Sequence, residues 1–177
     1  MITNLLWRHK YLLFIALFII SCNQDPCKMI YGRWKFYKYT PINTIGCLTD
    51  EEFDIIIPYF IDKEIEIHKE YILLDNKRFE NPIYELTEED IYKFLIWGYQ
   101  IENRPTDLGI QENVNTVKVL NIYVEDKYRK GKYDIPNFVS PFQKDVGMSF
   151  SFSNIIVYEN ELLIFFAYAC FHLRKVK

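Results

Sequence analysis

The residues in this sequence that are best suited to chemistry are two histidines with polar neighbours and one cysteine near the N-terminus. In the segment EIEIHKE the polar residues alternate with isoleucines: Glu64, Glu66, His68 and Glu70. On a β-strand this alternation places the polar side chains on one face, where carboxylates and an imidazole can hold a cation. The same alternation is ordinary on a strand with one buried and one solvated face. We therefore expect a solvated strand face here and no metal site.

The second histidine, His172, lies two positions after Cys170 in an apolar stretch near the C-terminus. A cysteine nucleophile needs a base within hydrogen-bond reach and a third group that orients the base. Residues two apart on a strand face the same way, and the sequence around them offers no orienting group. The chain also contains no G-x-S-x-G, no glycine-rich phosphate loop and no H-E-x-x-H. The sequence predicts no catalytic residue, no cofactor and no enzyme activity.

Cys22 belongs to a different pattern, which begins with a basic segment at residues 8–10 and continues with an apolar run at residues 11–20. The run has about half of the roughly 20 residues that a membrane-spanning helix needs. A basic segment, a short apolar run and a small residue at the boundary are typical of a secretory signal. The four residues Ile19-Ile20-Ser21-Cys22 resemble the bacterial lipobox, in which an aliphatic residue, a variable position and a small residue precede an invariant cysteine.

The lipobox resemblance implies a location and a membrane partner. It implies that residues 1–21 are a lipoprotein signal peptide, that Cys22 carries a diacylglyceryl group, and that residues 22–29 form a lipidated tether. Each buried methylene contributes about 0.8 kcal/mol, so two or three acyl chains would hold the protein on a membrane permanently. We expect a protein anchored in the cell envelope, at an outer membrane or on a periplasmic or extracellular face. The alternative is an ordinary signal peptide or an uncleaved anchor, in which Cys22 has no role.

Composition limits the partners of the remaining chain. The net charge is -3 and no basic patch stands out, which argues against nucleic acid as a partner. Aromatic residues make up 18% of the sequence, with 14 Tyr and 14 Phe, a content suited to large buried rings and to surfaces that are half apolar and half wet. With Cys22 acylated, Cys27, Cys47 and Cys170 remain for one disulfide and one thiol, and the sequence does not choose among the three pairings.

Hydrophobic periodicity predicts a single, mainly β domain over residues 30–177. About eight strands are expected, at residues 30–39, 64–70, 71–74, 82–86 and 114–125 and in three segments after residue 147. Two short helices interrupt them: one begins at the capping box Thr49-Asp50-Glu51-Glu52 and ends near Pro58, and the other is capped by Thr87. Closure into an antiparallel barrel would remove the exposed edges of such a sheet.

Two segments resemble lipocalins. Gly32-Arg33-Trp34 is similar to the G-x-W whose tryptophan closes the lipocalin barrel floor, and ELLIFFAYACFHLRKV resembles the last strand of bacterial lipocalin-like lipoproteins. The resemblance implies a lipocalin-like barrel in which Arg174, or its neighbour Lys175, packs over Trp34. A cation over an indole is worth about 0.5–2 kcal/mol. The middle segment NPIYELTEEDIYKF, with the LGI that follows it, is similar to a group of uncharacterised bacterial lipoproteins that share this strand–helix insertion.

Two functions compete at this point. In the first, the anchored barrel binds a small apolar or amphipathic ligand in a cavity lined by Trp34, Phe36, Val119 and Phe165. In the second, a fully packed β domain serves the cell envelope as a protein-interaction or inhibitor module. That domain would present an exposed aromatic patch, from the helix at residues 91–99 or from the loop near Tyr128 and Tyr133. A cavity without a patch favours the first function, and a patch without a cavity favours the second.

Overall fold

The computed structural model describes residues 25–42, 57–74, 76–98, 101–125, 132–134, 153–166 and 169–177. This part of the chain is mainly β, with one curled antiparallel sheet and short helical segments, which confirms the predicted fold class. Several predicted features lie outside the described residues. They are the signal peptide, the lipidated Cys22, Cys47, the capping box at residues 49–52, Tyr128 and the strand expected at residues 148–152.

Within the described residues, ten strands form the sheet. Nine follow one path in the order β4-β3-β2-β1-β10-β9-β8-β6-β5, and β7 pairs separately with β6. Their bounds are β1 (Gly32–Pro41), β2 (Glu64–Ile67), β3 (Tyr71–Leu74), β4 (Lys77–Glu80), β5 (Pro82–Asp90), β6 (Thr116–Glu125), β7 (Lys132–Asp134), β8 (Ile155–Tyr158), β9 (Glu161–Phe166) and β10 (Ala169–Lys175). Along this path each strand pairs antiparallel with its neighbours, and the last strand returns to pair with the first.

The two edge strands of the path, β4 and β5, are consecutive in the chain and are separated only by Asn81. The sheet must therefore curl until its two edges meet at this corner, which gives it the shape of a half-barrel. Asn81 has a φ of 52°, a left-handed conformation that asparagine tolerates better than most residues. Its amide donates a hydrogen bond of 2.8 Å to the carbonyl of Glu70 and fixes the corner to the β2–β3 connection.

The inner face of the curled sheet holds the larger apolar cluster. Phe60, in a helical turn at residues 57–60, packs at ring-centroid distances of 5.5 Å from Phe36, 5.2 Å from Phe171 and 5.5 Å from Phe166. Isoleucines and leucines from β2, β3, β6, β8, β9 and β10 surround these rings and are almost fully buried. The described interior is thus filled by side chains in contact with one another.

The outer face of β6, β8, β9 and β10 is covered by residues 91–98 and 101–110, which we call the insertion. It consists of α1 (Ile91–Lys93), a π-helical turn (Phe94–Gly98) and a 3-10 helix (Pro105–Leu108). Its buried Ile91, Leu95 and Ile101 join a second apolar cluster with outer-face residues of these strands. Because both faces of β9 are covered, Leu162, Leu163 and Ile164 are all buried, and the expected alternation of a surface strand is lost.

Two predicted element boundaries are wrong. The second helix begins at Ile91 with Asp90 as its cap, because Thr87 to Asp90 extend β5 and pair with residues 116–119 of β6. The apolar segment predicted as one last strand is divided into β9 and β10, which form a hairpin. The turn predicted at residues 159–160 does connect β8 to β9. Among the described residues, no helix is long and apolar enough to cross a membrane.

Candidate functional site

The insertion forms a groove of about 630 Å³ on the outside of the sheet. Its lining is mostly apolar and consists of Tyr92, Leu95, Ile96 and Ile101, with Glu102, Asn103 and Arg104. Leu95 and Ile101 are almost fully buried and connect the groove to the second cluster, whereas 45% of Tyr92 and 56% of Ile96 are exposed. Large apolar side chains that stay in solvent beside a groove are typical of a binding surface.

Local hydrogen bonds fix the shape of this groove. The Asp90 carboxylate accepts from the amide of Lys93 at 2.9 Å and caps α1. The groove has a helical wall at residues 92–96 and a far wall at residues 101–104. The amide of Ile101 donates to the carbonyl of Leu95 at 3.0 Å and holds the two walls together. The Asn103 side chain donates to the carbonyl of Pro41 at 3.3 Å and attaches the far wall to β1. Short π-helical turns inside helices occur frequently at functional sites.

The far wall is stabilised by a reciprocal cap around the 3-10 helix. The amide of Arg104 donates to the Asp107 carboxylate at 2.9 Å, and the Arg104 guanidinium lies 3.3 Å from the other carboxylate oxygen. These two hydrogen bonds lower the pKa of Asp107, so this carboxylate remains charged. The helix ends at Gly109, whose φ of 79° is a left-handed value that favours glycine. Glu102 is exposed on the same wall and contributes a carboxylate at the rim of the groove.

The four residues predicted to line one cavity do not share one interior. Trp34 and Phe36 are buried in the inner cluster. Val119 is buried in the outer cluster, and Phe165 packs against that cluster with its ring centroid 6.0 Å from that of Phe94. Neighbouring positions of a strand face opposite ways, so Leu120 and Ile164 are the inner-face residues of these two strands. The sequence pattern did not distinguish the two faces because both are apolar.

The predicted pair of Trp34 and Arg174 is also corrected. Lys175, and not Arg174, lies opposite Trp34 in the β1–β10 ladder, and its Nζ is 5.4 Å from the centre of the indole. Arg174 faces the other side of β10, with its guanidinium 5.0 Å from the ring of Tyr37. A side chain at Gly32 would bring its Cβ to 2.8 Å from the Cε of Lys175, so the glycine leaves room for the lysine to reach the indole.

A hydrogen-bonded array on the outer face surrounds His172, which is completely buried. Its Nε2 lies 3.0 Å from the Thr40 hydroxyl, and its Nδ1 lies 3.2 Å from the Glu161 carboxylate. The Tyr37 hydroxyl donates to the other oxygen of the same carboxylate. Burial and the hydrogen bond to Glu161 raise the pKa of Tyr37 to about 12, so it remains a donor. These contacts give both nitrogens of the buried imidazole a hydrogen-bond partner.

The orienting group for His172 is therefore Glu161, which spacing along a single strand does not reveal because Glu161 lies on β9 and His172 on β10. The β9–β10 hairpin brings Glu161 next to Arg174 in the ladder, and β1 supplies Thr40. Cys170, the partner considered from the sequence, is buried in the outer cluster, and its burial raises the pKa of the thiol. The predicted turn at residues 159–160 places Glu161 beside Tyr158 of β8 and not beside β10, so this signal does not bring Glu161 to His172.

His172 makes the stability of the fold depend on pH. Burial lowers its pKa below the ordinary value of 6.5, although the hydrogen bond to Glu161 acts in the opposite direction; nearby Lys38 lowers it further. Below pH 6.5 the unfolded chain therefore binds a proton that the folded chain excludes, and the free energy of unfolding falls until the folded-state pKa is reached. Urea unfolding at a series of pH values below 6.5 should show this decrease in the free energy of unfolding. His172→Gln should reduce the slope of stability against pH, and a slope equal to that of the unmodified protein would contradict this assignment.

The carboxylates considered for a cation are already engaged on the solvated face of β2. Glu64 and Glu66 both contact the Arg33 guanidinium, and Glu66 also lies 3.3 Å from the His68 imidazole. The His68 ring stacks on Tyr71 with centroids 4.2 Å apart. No group of three or more His, Cys, Asp or Glu in the described part of the chain could hold a metal ion.

Cys27 and Cys170 are both buried and free. Each of the three disulfides considered from the sequence requires at least one of them, so none of these disulfides is present in the structure. Burial raises the pKa of the Cys27 thiol, as it does for Cys170, which makes both thiols poor nucleophiles. The thiols therefore act as small apolar core groups.

Comparisons with known proteins supply no relative: no protein-family model matches the chain, and neither the curated proteins nor the solved structures give a match.

Proposed function

We propose that the protein is a lipid-anchored module of the bacterial cell envelope that is attached through Cys22 and binds a partner protein in the groove of the insertion. The partner would insert aliphatic or aromatic side chains between Tyr92, Ile96 and Ile101. A basic residue beside these anchors would meet the Glu102 carboxylate at the rim. The protein has no enzymatic role in this proposal, and its membrane partner is the bilayer that holds the acylated Cys22.

The observation that carries the proposal is the apolar groove itself. Its exposed Tyr92 and Ile96 lie within the helical segment where the sequence predicted an interaction patch. Aromatic and branched aliphatic residues around a small depression form the kind of site in which a few partner side chains supply most of the binding energy. The interior of the sheet offers less space for a partner or ligand, because Phe36, Phe60 and Phe171 fill its described part.

A second candidate is a small amphipathic ligand in the same groove. The volume of about 630 Å³ lies within the range of about 300–1,000 Å³ that is common for small-molecule sites. The lining also combines an apolar wall with polar groups at residues 102–104, as an amphipathic ligand would need. This candidate keeps the ligand class expected from the sequence and moves the site from the barrel interior to the outer face.

Site-specific photo-crosslinking in intact cells separates the two candidates. A photoreactive phenylalanine analogue replaces Ile96 in one variant and Tyr39 in a control, because Tyr39 is also a large exposed side chain but lies on β1. We expect one discrete protein adduct at position 96 that is absent at position 39. The adducted peptide should contain an apolar side chain next to a basic residue. An adduct of small mass would favour the second candidate, and equal adducts at both positions would contradict a specific site.

Ile96→Glu tests the groove without disturbing the fold. Because 56% of Ile96 is exposed, we expect the free energy of unfolding to change by less than about 0.5 kcal/mol. The carboxylate would place a charge in the apolar contact, so binding of a synthetic peptide copied from the adduct should weaken at least tenfold, or by about 1.4 kcal/mol. Titration of the peptide against both proteins measures this. Tyr39→Glu is the matched control and should bind like the unmodified protein; unchanged binding by the Ile96 variant would contradict the proposal.

A further inference from the structure

The first described element of the chain is a short 3-10 helix, Pro26–Ile30, which we call the entry helix and which includes residues 26–29 of the predicted tether. Its buried side chains, Cys27 and Ile30, belong to the inner cluster. Its other side is in solvent: Lys28 is exposed, and Met29 is exposed over 46% of its surface. A large apolar side chain next to a lysine, a few residues from a proposed acylation site, has no evident role in packing.

The entry helix is firmly attached to the sheet. The Trp34 indole donates to the carbonyl of Ile30 at 2.7 Å, and the Lys175 ammonium donates to the carbonyl of Met29 at 3.1 Å. The Tyr31 hydroxyl donates to the Asp25 carboxylate at 2.8 Å. The position of the entry helix therefore sets the orientation of the whole sheet relative to whatever lies beyond the tether.

The covalent chain limits how far the entry helix can be from a membrane. Cys22 and Asp25 are three residues apart, and an extended chain spans at most about 3.6 Å per residue. If Cys22 carries acyl chains in the bilayer, Asp25 lies within about 11 Å of that anchor. The exposed side of the entry helix is then held at the depth of the lipid headgroups.

Lys28, Lys69 and Lys175 are exposed near this point. Lys69 lies in the β2–β3 connection, where the carbonyl of the preceding His68 accepts from the Tyr84 hydroxyl, and the Tyr84 ring packs 5.6 Å from the ring of Tyr31. The Asp25 carboxylate is held by hydrogen bonds from Tyr31 and Cys27, and Glu70 is an exposed carboxylate in the same connection. Lysines next to an anchor are attracted to an anionic lipid surface.

We propose that Lys28, Met29, Lys69 and Lys175 form a docking surface that rests on an anionic lipid bilayer and orients the acylated protein. The inference rests on the proposed acylation of Cys22, which brings this surface to the membrane. Met29 inserts between headgroups, as exposed apolar side chains of interfacial segments do, and the lysines contact lipid phosphates. The surface acts in addition to the acyl chains and determines how the sheet is tilted.

Lysine footprinting on vesicles tests the docking surface. The acylated protein, residues 22–177, is inserted into equimolar phosphatidylglycerol and phosphatidylcholine vesicles, or into phosphatidylcholine alone. An amine-reactive reagent is then applied and each lysine is read by mass spectrometry. We expect Lys28 and Lys69 to react several-fold more slowly on the anionic vesicles than on the neutral ones. Lys93, which is exposed on the insertion, is the internal control and should react equally on both.

A charge-reversal variant tests whether the slower reaction on anionic vesicles depends on the lysines of the docking surface. Lys28→Glu combined with Lys69→Glu should return Lys175 to its rate on neutral vesicles, whereas Lys93→Glu should not. If the protein is acylated and floats with the vesicles but Lys28 and Lys93 respond alike, the anchor stands and the docking surface is rejected. If the intact mass shows no acyl chain and the protein does not float, the anchor itself is rejected and the docking surface with it.

Discussion

Replacing Trp34 by alanine is expected to lower the free energy of unfolding by about 3–5 kcal/mol. The indole is 98% buried in the inner cluster, and its Nε1 donates to the carbonyl of Ile30. Removal of the indole leaves a cavity, leaves the Ile30 carbonyl without this hydrogen bond, and removes the aromatic ring that the Lys175 ammonium contacts. Urea unfolding followed by circular dichroism measures the loss. An unchanged midpoint would remove Trp34 from the core.

The neighbouring cations provide the control for this prediction. In a double-mutant cycle, Trp34→Leu and Lys175→Met should show a coupling free energy of about 0.5–2 kcal/mol, because the ammonium lies over the indole. The same cycle with Arg174→Met should show almost none, because Arg174 faces Tyr37 on the opposite side of β10. Coupling to Arg174 and not to Lys175 would contradict the β1–β10 register.

Cys22→Ser is expected to release the protein from membranes completely. A serine hydroxyl cannot form the thioether to a diacylglyceryl group, so the variant would lack the acyl chains, each worth about 0.8 kcal/mol per buried methylene. Cell fractionation should move the protein from the membrane pellet to the soluble fraction. Cys27→Ser is the matched control, since this thiol is buried in the fold, and its product should stay in the pellet. Membrane association of the Cys22 variant would reject the lipid anchor.

The sheet could largely be predicted because most of its strands are short and patterned. The alternation at residues 64–67 and the return at residues 71–74 gave β2 and β3, and the turn at residues 159–160 gave the β8–β9 hairpin. The ladder between β1 and the C-terminal strand agrees with what the resemblance of G-x-W and the last strand to lipocalins implies.

The errors arise where both faces of a strand are covered. Periodicity assigns a face only when one side is polar, and β6, β8, β9 and β10 are apolar on both sides. The prediction that Val119 and Phe165 line the interior with Trp34 and Phe36 is therefore wrong, because both residues lie on the outer face. For the same reason β9 was not separated from β10. A one-residue shift of register also exchanges Arg174 for Lys175 opposite Trp34, because successive side chains alternate.

The position of the groove could be predicted from the sequence, but its shape could not. The exposed helical patch was expected at residues 91–99, and Tyr92 and Ile96 are exposed there. The opposite wall depends on long-range contacts, such as Asn103 with Pro41, and on the reciprocal cap of Arg104 and Asp107. The array around His172 likewise joins β1 to the β9–β10 hairpin near the other end of the chain.

The central claim is that the protein works through its outer groove, with a packed interior and an acylated N-terminus. Native mass spectrometry of the protein extracted from membranes in mild detergent tests this most directly. The account predicts the mass of residues 22–177 with covalent acyl chains and no further small molecule. An added mass that leaves on mild denaturation, extracts into organic solvent and is retained by the Ile96→Glu variant would contradict it, because such a ligand would occupy the interior of the sheet.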